Sequence, residues 1–185
     1  MGAALIPLTE VLNRLTKVFK EEGYDSATLS RLSSATGLGK ASLYHHFPGG
    51  KVDMAIAVAE RSNQLFYKLI IAPLQGDEDP VKRIEQMIKS LDNYYSKGEE
   101  SCLLGMLAMG GSATLFREYV RRGLGDWVDA LAQTLIEAGS SKTEARQKAE
   151  DTVFRIEGAL LVARGTGDPS PFRRMVAQLK KQLLQ

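Results

Sequence analysis

Apolar residues recur along most of the chain at intervals of three and four, the spacing of one helix face. Leu8, Val11, Leu12, Leu15, Val18 and Phe19 form a first stripe that stops at Gly23. Leu29, Leu32 and Ala35 form a second, between Thr28 and Gly37, and Leu43 and Phe47, four apart, anchor a third. A longer run from Lys51 to Leu74 passes through Ile56, Leu65, Phe66, Leu69 and Ile70. Pro73 and the polar stretch 75–80 then break the pattern, and Pro80 is placed to open the next helix, through Val81, Ile84, Met87, Ile88, Leu91, Tyr94 and Tyr95. Three more helices are predicted at Leu124–Ala138, Thr143–Gly165 and Pro171–Leu184. Gly105, Gly110 and Gly111 interrupt 102–122, which receives no assignment. No segment reads as a strand. The pattern predicts an all-α fold, with a three-helix head over 1–47 continuous with a helical body.

The head has a second level of order. Gly37 suits the left-handed turn that ends a helix, and Gly39 loosens the turn further. Two short helices joined this way make a helix-turn-helix over about 28–47, with Ser26 and Thr28 both able to cap the first of them. On the second helix Leu43 and Phe47 face inward, while Ala41, Ser42 and His45 lie opposite, flanked by Lys40 and Tyr44 on one edge and His46 on the other. At ~1.5 Å per residue this helix is roughly 12 Å long, about the width of a DNA major groove.

Charge sharpens the picture. Between Ser26 and Lys51 there is no Asp or Glu, but there are Arg31, Lys40, Lys51 and both histidines of the chain. Residues 1–51 carry Arg14, Lys17, Lys20, Arg31, Lys40 and Lys51 against Glu10, Glu21, Glu22 and Asp25, which accounts for the whole net charge of +2. An acid-free window on one motif is a local electrostatic footprint for phosphate, whereas a nonspecific nucleoid-type binder would need a more basic chain.

With these residues in view, Thr28 to Lys51, centred on Gly39-Lys40-Ala41-Ser42-Leu43-Tyr44-His45-His46-Phe47, resembles the DNA-binding signature of the tetracycline-repressor (TetR) family of bacterial regulators. Phe47-Pro48-Gly49-Gly50-Lys51 and Cys102-Leu103-Leu104-Gly105 further resemble its LmrA/YxaF-like subgroup. Geometry and resemblance together assign Thr28, Tyr44, His46 and Lys51 mainly to phosphates, Lys40, Ala41, Ser42 and His45 to base edges, and Arg31 to either. The resemblance implies a helix-turn-helix DNA-binding domain at 1–50 and a helical ligand-binding and dimerisation domain at 51–185. It also implies a small-molecule pocket within the bundle. Phe66, Met87, Leu91, Tyr94, Met106, Met109, Trp127 and Phe154 supply the flexible and aromatic bulk such a pocket uses, although methionines at this spacing also make ordinary core. A lone head buries too little area for tight specific binding, and family members pair through their last long helices, here those near 124–138 and 143–165, where Gly158, Ala159 and Ala163 would allow close approach. The expected partners are a double-stranded DNA operator, a small apolar or amphipathic effector, and a second copy of the chain. The expected function is that of a repressor released from a palindromic operator by that effector.

Other classes fare worse. No nucleophilic triad, phosphate-binding loop, dinucleotide fingerprint or catalytic residue set is present, and no cofactor is expected. His45 and His46 are adjacent, so they point ~100° apart on a helix, and no third histidine exists to complete a metal site. The competing reading is a small-molecule-binding or enzymatic helical protein whose head no longer reads DNA. Cys102, the single cysteine, follows Glu99 and Glu100, a poor setting for a reactive thiolate, and reads first as a small buried apolar side chain. A helix capped by Ser101 would put it in a first turn and keep the sensor reading open. One cysteine, no membrane-length apolar run and no signal-peptide pattern lead to the expectation of a cytoplasmic protein.

Overall fold

The computed structural model describes residues 6–184, and every regular element among them is helical. In chain order these are α1 (Leu8–Ser26), α2 (Leu29–Thr36), α3 (Lys40–His46), α4 (Lys51–Phe66), a π-helical turn (Tyr67–Ile71), α5 (Ala72–Leu74), α6 (Pro80–Tyr94), a 3-10 turn (Ser96–Gly98), α7 (Leu103–Leu107), α8 (Ala113–Glu137), α9 (Lys142–Thr166) and α10 (Ser170–Leu184). They form two compact units. The first comprises 1–62 together with 103–119, and the second 63–102 together with 120–185; residues 1–5 and 185 lie outside the described set.

In the first unit Val11, Leu15, Val18 and Phe19 of α1 are buried, as are Leu32, Leu43, Phe47, Met54, Ala55 and Val58, and α2 packs on both α1 and α3. Burying each of the larger side chains contributes ~1.5–3 kcal/mol, so Leu43 of α3 and Phe47 just past its end suffice to seat a seven-residue helix that could not persist alone. The stripe of α1 ends at Gly23 as expected, where φ is +73° and the backbone leaves the helix. Beyond it Tyr24 turns inward, stacked on Phe19 and edge-on to Phe116 at 4.9 Å.

Two expectations are corrected here. The continuous helix over 51–74 is interrupted by the π-turn: the N–H of Ala72 reaches back five residues to the Tyr67 carbonyl, immediately before Pro73, which has no N–H to donate. The helix expected from Leu124 starts instead at Ala113 and runs through Gly123 and Gly125. Each glycine costs about 1 kcal/mol against alanine in a helix, but burial of Phe116 and Trp127 on the same helix outweighs it.

The second unit is built on Trp127, Leu131, Leu91, Met87, Tyr95, Ile156, Leu160, Phe172 and Leu179, all buried. α6 opens with Asp79 accepting from the N–H groups of Val81 (3.0 Å) and Lys82 (3.2 Å), and Pro80 follows at the first helical position. Ser141 caps α9, accepting from the Glu144 N–H at 3.3 Å. α10 packs along α9 and against α6.

Candidate nucleic-acid interface

α2 and α3 form the helix-turn-helix. Thr28, and not Ser26, is the cap of α2: its hydroxyl accepts from the Arg31 N–H at 3.2 Å. Gly37 closes α2 in the left-handed conformation (φ +73°), its N–H donating to the Ser33 carbonyl at 3.0 Å. The turn is pinned twice more. Ser33 Oγ donates to the Leu38 carbonyl at 2.6 Å, and Arg14 of α1 donates to the Thr36 carbonyl at 3.0 Å. Gly39, in extended conformation, precedes α3.

On α3 the inward positions are Leu43, with Phe47 just past its end, while Lys40, Ala41, Ser42, Tyr44, His45 and His46 are all exposed. The two-faced helix read from the sequence is therefore present, with small and hydrogen-bonding groups outward. Tyr44, 48% exposed, also has a supporting role. Gly50 has φ +71°, and a Cβ there would lie 3.2 Å from Tyr44 Cε1, so the Tyr44 ring rests against the turn into α4. That turn is held further by the Gly49 N–H donating to Asp53 Oδ2 at 2.6 Å.

Two of the nine expected DNA contacts are engaged elsewhere in this structure. Arg31 turns its guanidinium to α1, with Nε 2.6 Å from Glu22 Oε1 and Nη2 3.5 Å from Glu21 Oε2. Lys51 Nζ donates to the Tyr24 carbonyl at 3.0 Å and lies 3.5 Å from the Asp25 carbonyl, 4.3 Å above the Tyr24 ring. Sequence reasoning missed these partners because they lie in α1, outside the motif. It also missed Asp25, whose carboxylate accepts from the hydroxyl and N–H of Ser112. The Ser112 hydroxyl chiefly holds its carboxyl below the usual range. The only sequence signal was an acid standing at the edge of the acid-free window.

The expected pocket residues divide. Phe66, Met87, Leu91 and Trp127 are buried together in the second unit: Phe66 sits edge-on to Trp127 (5.1 Å) and Tyr94 (5.3 Å), and Trp127 Nε1 donates to Met87 Sδ at 3.5 Å. Phe66 also lines a cavity of about 270 Å³ with Tyr67, Ile71, Arg122 and Asp126. A larger cleft of about 700 Å³ shares Tyr67, Ile71 and Asp126 and is rimmed by Asp77, Asp129 and the Arg83–Glu137 ion pair. The remaining three do not join this group. Met106 and Met109 belong to the first unit, and a Cβ on Gly23 would lie 3.7 Å from Met106 Cε. Phe154 is 67% exposed because the inner face of α9 is set by Ala145, Ala149, Val153, Ile156, Leu160 and Ala163, which leaves 154, 158, 161, 162 and 165 outside. Cys102 is buried, in hydrogen-bond reach of Glu157, whose carboxyl is raised by burial. Among the described residues no group of three His, Cys, Asp or Glu is placed to hold a metal, and no helix is long and apolar enough to cross a membrane.

Comparison with known proteins agrees with this geometry. Residues 11–58 match the family of bacterial regulatory proteins called the tetR family, and residues 80–178 match the C-terminal domain of LmrA/YxaF-like transcriptional regulators. The chain is similar to the HTH-type transcriptional regulator LmrA of Bacillus subtilis, 26% identical over 166 residues that cover 88% of each protein. It is similar also to the uncharacterized HTH-type transcriptional regulator YxaF of the same organism, 25% identical and covering 92% of this chain and 91% of that one. In fold it resembles a TetR transcriptional regulator from Legionella pneumophila, with a TM-score of 0.80, 18% identity and 98% of each chain covered.

Proposed function

The chain belongs to the TetR family, in its LmrA/YxaF-like group, and from that premise we propose that it is a dimeric repressor that leaves a palindromic operator when a small apolar or amphipathic effector binds. The observation that carries the reading is α3: two buried anchors, an outward face of Lys40, Ala41, Ser42, Tyr44, His45 and His46, and no acid between Ser26 and Lys51. In this reading residues 1–50 bind DNA and residues 51–185 bind effector and pair the subunits.

Lys40, Ala41, Ser42 and His45 read base edges, and Thr28, Tyr44 and His46 hold phosphates. Lys51 uses the donor capacity left by Tyr24, and Arg31 enters the interface by exchanging Glu21 and Glu22 for phosphate. The effector occupies the region of Phe66, Met87, Leu91, Tyr94 and Trp127, next to the cavity that Phe66 lines. Dimerisation runs through the helices near 124–138 and 143–165, the second of which carries exposed Phe154, Leu161 and Val162. The chain performs no catalysis in this scheme and works in the cytoplasm. Effector and DNA oppose one another only through differential affinity for two states, and a thousandfold release needs ~4 kcal/mol of coupling.

Selection of a randomised duplex library by the purified protein at ~150 mM salt, where nonspecific binding is weak, tests the reading directly. Enrichment of an inverted repeat is the expected result; a folded protein that enriches nothing overturns it. On the selected duplex, Lys40→Ala should relax preference at particular base positions by ~1–3 kcal/mol, whereas Tyr44→Ala should weaken all sequences alike. Uniform loss in Lys40→Ala would remove that residue from base reading.

A further inference from the structure

The end of α1 is gripped from two directions within the first unit. From one side Lys51, the first residue of α4, donates to the Tyr24 carbonyl at 3.0 Å and approaches that of Asp25 at 3.5 Å. From the other, the turn that opens α8 closes on the Asp25 side chain: Ser112 donates from its hydroxyl and, at 3.4 Å, from its N–H. Gly110, at φ +90°, brings the turn so close that a Cβ there would collide with the Asp25 carboxylate. Phe116, one turn into α8, packs edge-on against Tyr24. Residues 110–116 and Lys51 thus meet at one dipeptide, Tyr24-Asp25.

That dipeptide lies one short step from the recognition helix. α3 ends at His46, the Gly50 N–H donates to the Phe47 carbonyl at 2.8 Å, and the Met54 N–H to Gly50 at 3.1 Å. Whatever fixes Lys51 therefore fixes the turn on which the Tyr44 ring rests. The segment 103–119 is also an excursion of the chain. It is entered from Cys102 and left at Val120, both of which belong to the second unit.

We infer that Asp25 and Ser112 form a latch that positions the recognition helix, so that the segment 103–119, far outside the helix-turn-helix in sequence, sets DNA affinity without touching DNA. The inference rests on the DNA-binding reading above. An exposed pair of this kind contributes little to stability, so its effect appears in binding rather than in melting.

The test uses the full chain and a duplex selected from the randomised library by the wild-type protein. Ser112→Ala and Asp25→Ala should each weaken binding about tenfold with the melting temperature nearly unchanged. The double variant should be no weaker than either single one, because both remove the same contact. Ser112→Thr, which keeps the hydroxyl, should restore affinity. The slope of log Kd against log salt should not change, since neither residue meets a phosphate. Single-variant affinities equal to wild type, effects that multiply in the double variant, or an altered salt slope would each overturn the latch. Hydrogen exchange in the free protein separates this from failure of the DNA reading. If the wild type selects no duplex, faster exchange at the Met54 amide in Ser112→Ala still supports the latch, and unchanged exchange there refutes it.

Discussion

Trp127→Ala should lower the stability of the protein by ~3–5 kcal/mol, the range for removing a large aromatic from a packed core. Trp127 is fully buried, in contact with the Phe66 ring at 5.1 Å and donating to Met87 Sδ at 3.5 Å. Its partners Phe66 and Met87 are buried as well, and Met87 alone is flexible enough to refill part of the space. For a chain of this length each kcal/mol moves the midpoint by ~2–4 °C, which predicts a fall of roughly 10 °C in thermal unfolding. Trp127→Phe should cost far less, since it keeps most of the apolar contact and gives up only a weak N–H to sulfur bond. The same experiment distinguishes filled core from ligand pocket. An aromatic lining an open pocket loses few contacts on truncation, so a near-neutral Trp127→Ala would mean that the cluster is open to the effector as it stands. The expected large loss means instead that the effector enters from the cavity Phe66 lines and meets a filled cluster. A large loss partly reversed by millimolar indole would show that the cluster is packed and that the new cavity accepts an aromatic guest.

How much of this was legible beforehand depended on the range of the interactions. The head was readable because its determinants are local: Leu43 and Phe47 are four apart, Gly37 sits where a left-handed residue is needed, and Thr28 stands three residues before the N–H it caps. The start of α8 was not, because glycines at 105, 110 and 111 signal a break and those at 123 and 125 do not announce that they are tolerated. Only the burial of Phe116 and Trp127 makes one helix through them worthwhile. The partners of Arg31 and Lys51 were hidden for a related reason. A basic residue in an acid-free window looks available for phosphate, yet the carbonyl that receives Lys51 is 27 residues away. Three of the eight pocket residues part from the rest along the same line. Composition chose methionines and aromatics rightly as bulk, but chain path sent Met106 and Met109 to the unit of α1, and helix phase turned Phe154 outward.

That outward turn of α9 leads to the second large effect. Phe154, Leu161 and Val162 are 67, 55 and 48% exposed, and Gly158 and Gly165 complete the same stripe with open space over their Cβ positions. An apolar stripe with small residues between bulky ones lets two copies of a helix approach closely about a two-fold axis, where each residue is used twice. Leu161→Arg should therefore convert the dimer to monomer: two like charges would be buried near the axis, at ~3–5 kcal/mol for an uncompensated charge, equivalent to a 10²–10⁴-fold rise in the dimer dissociation constant. Because Leu161 is more than half exposed in the single chain, helix content should stay the same. Binding to an inverted-repeat duplex should collapse to nonspecific levels, since each head retains only its own half-site contacts. Phe154→Ala should act in the same direction and more weakly. Sedimentation equilibrium of the two variants reads the outcome beside duplex binding. A dimer of unchanged strength in Leu161→Arg would move the interface off this face of α9, and a monomer that still bound the full inverted repeat with wild-type affinity would separate operator recognition from pairing.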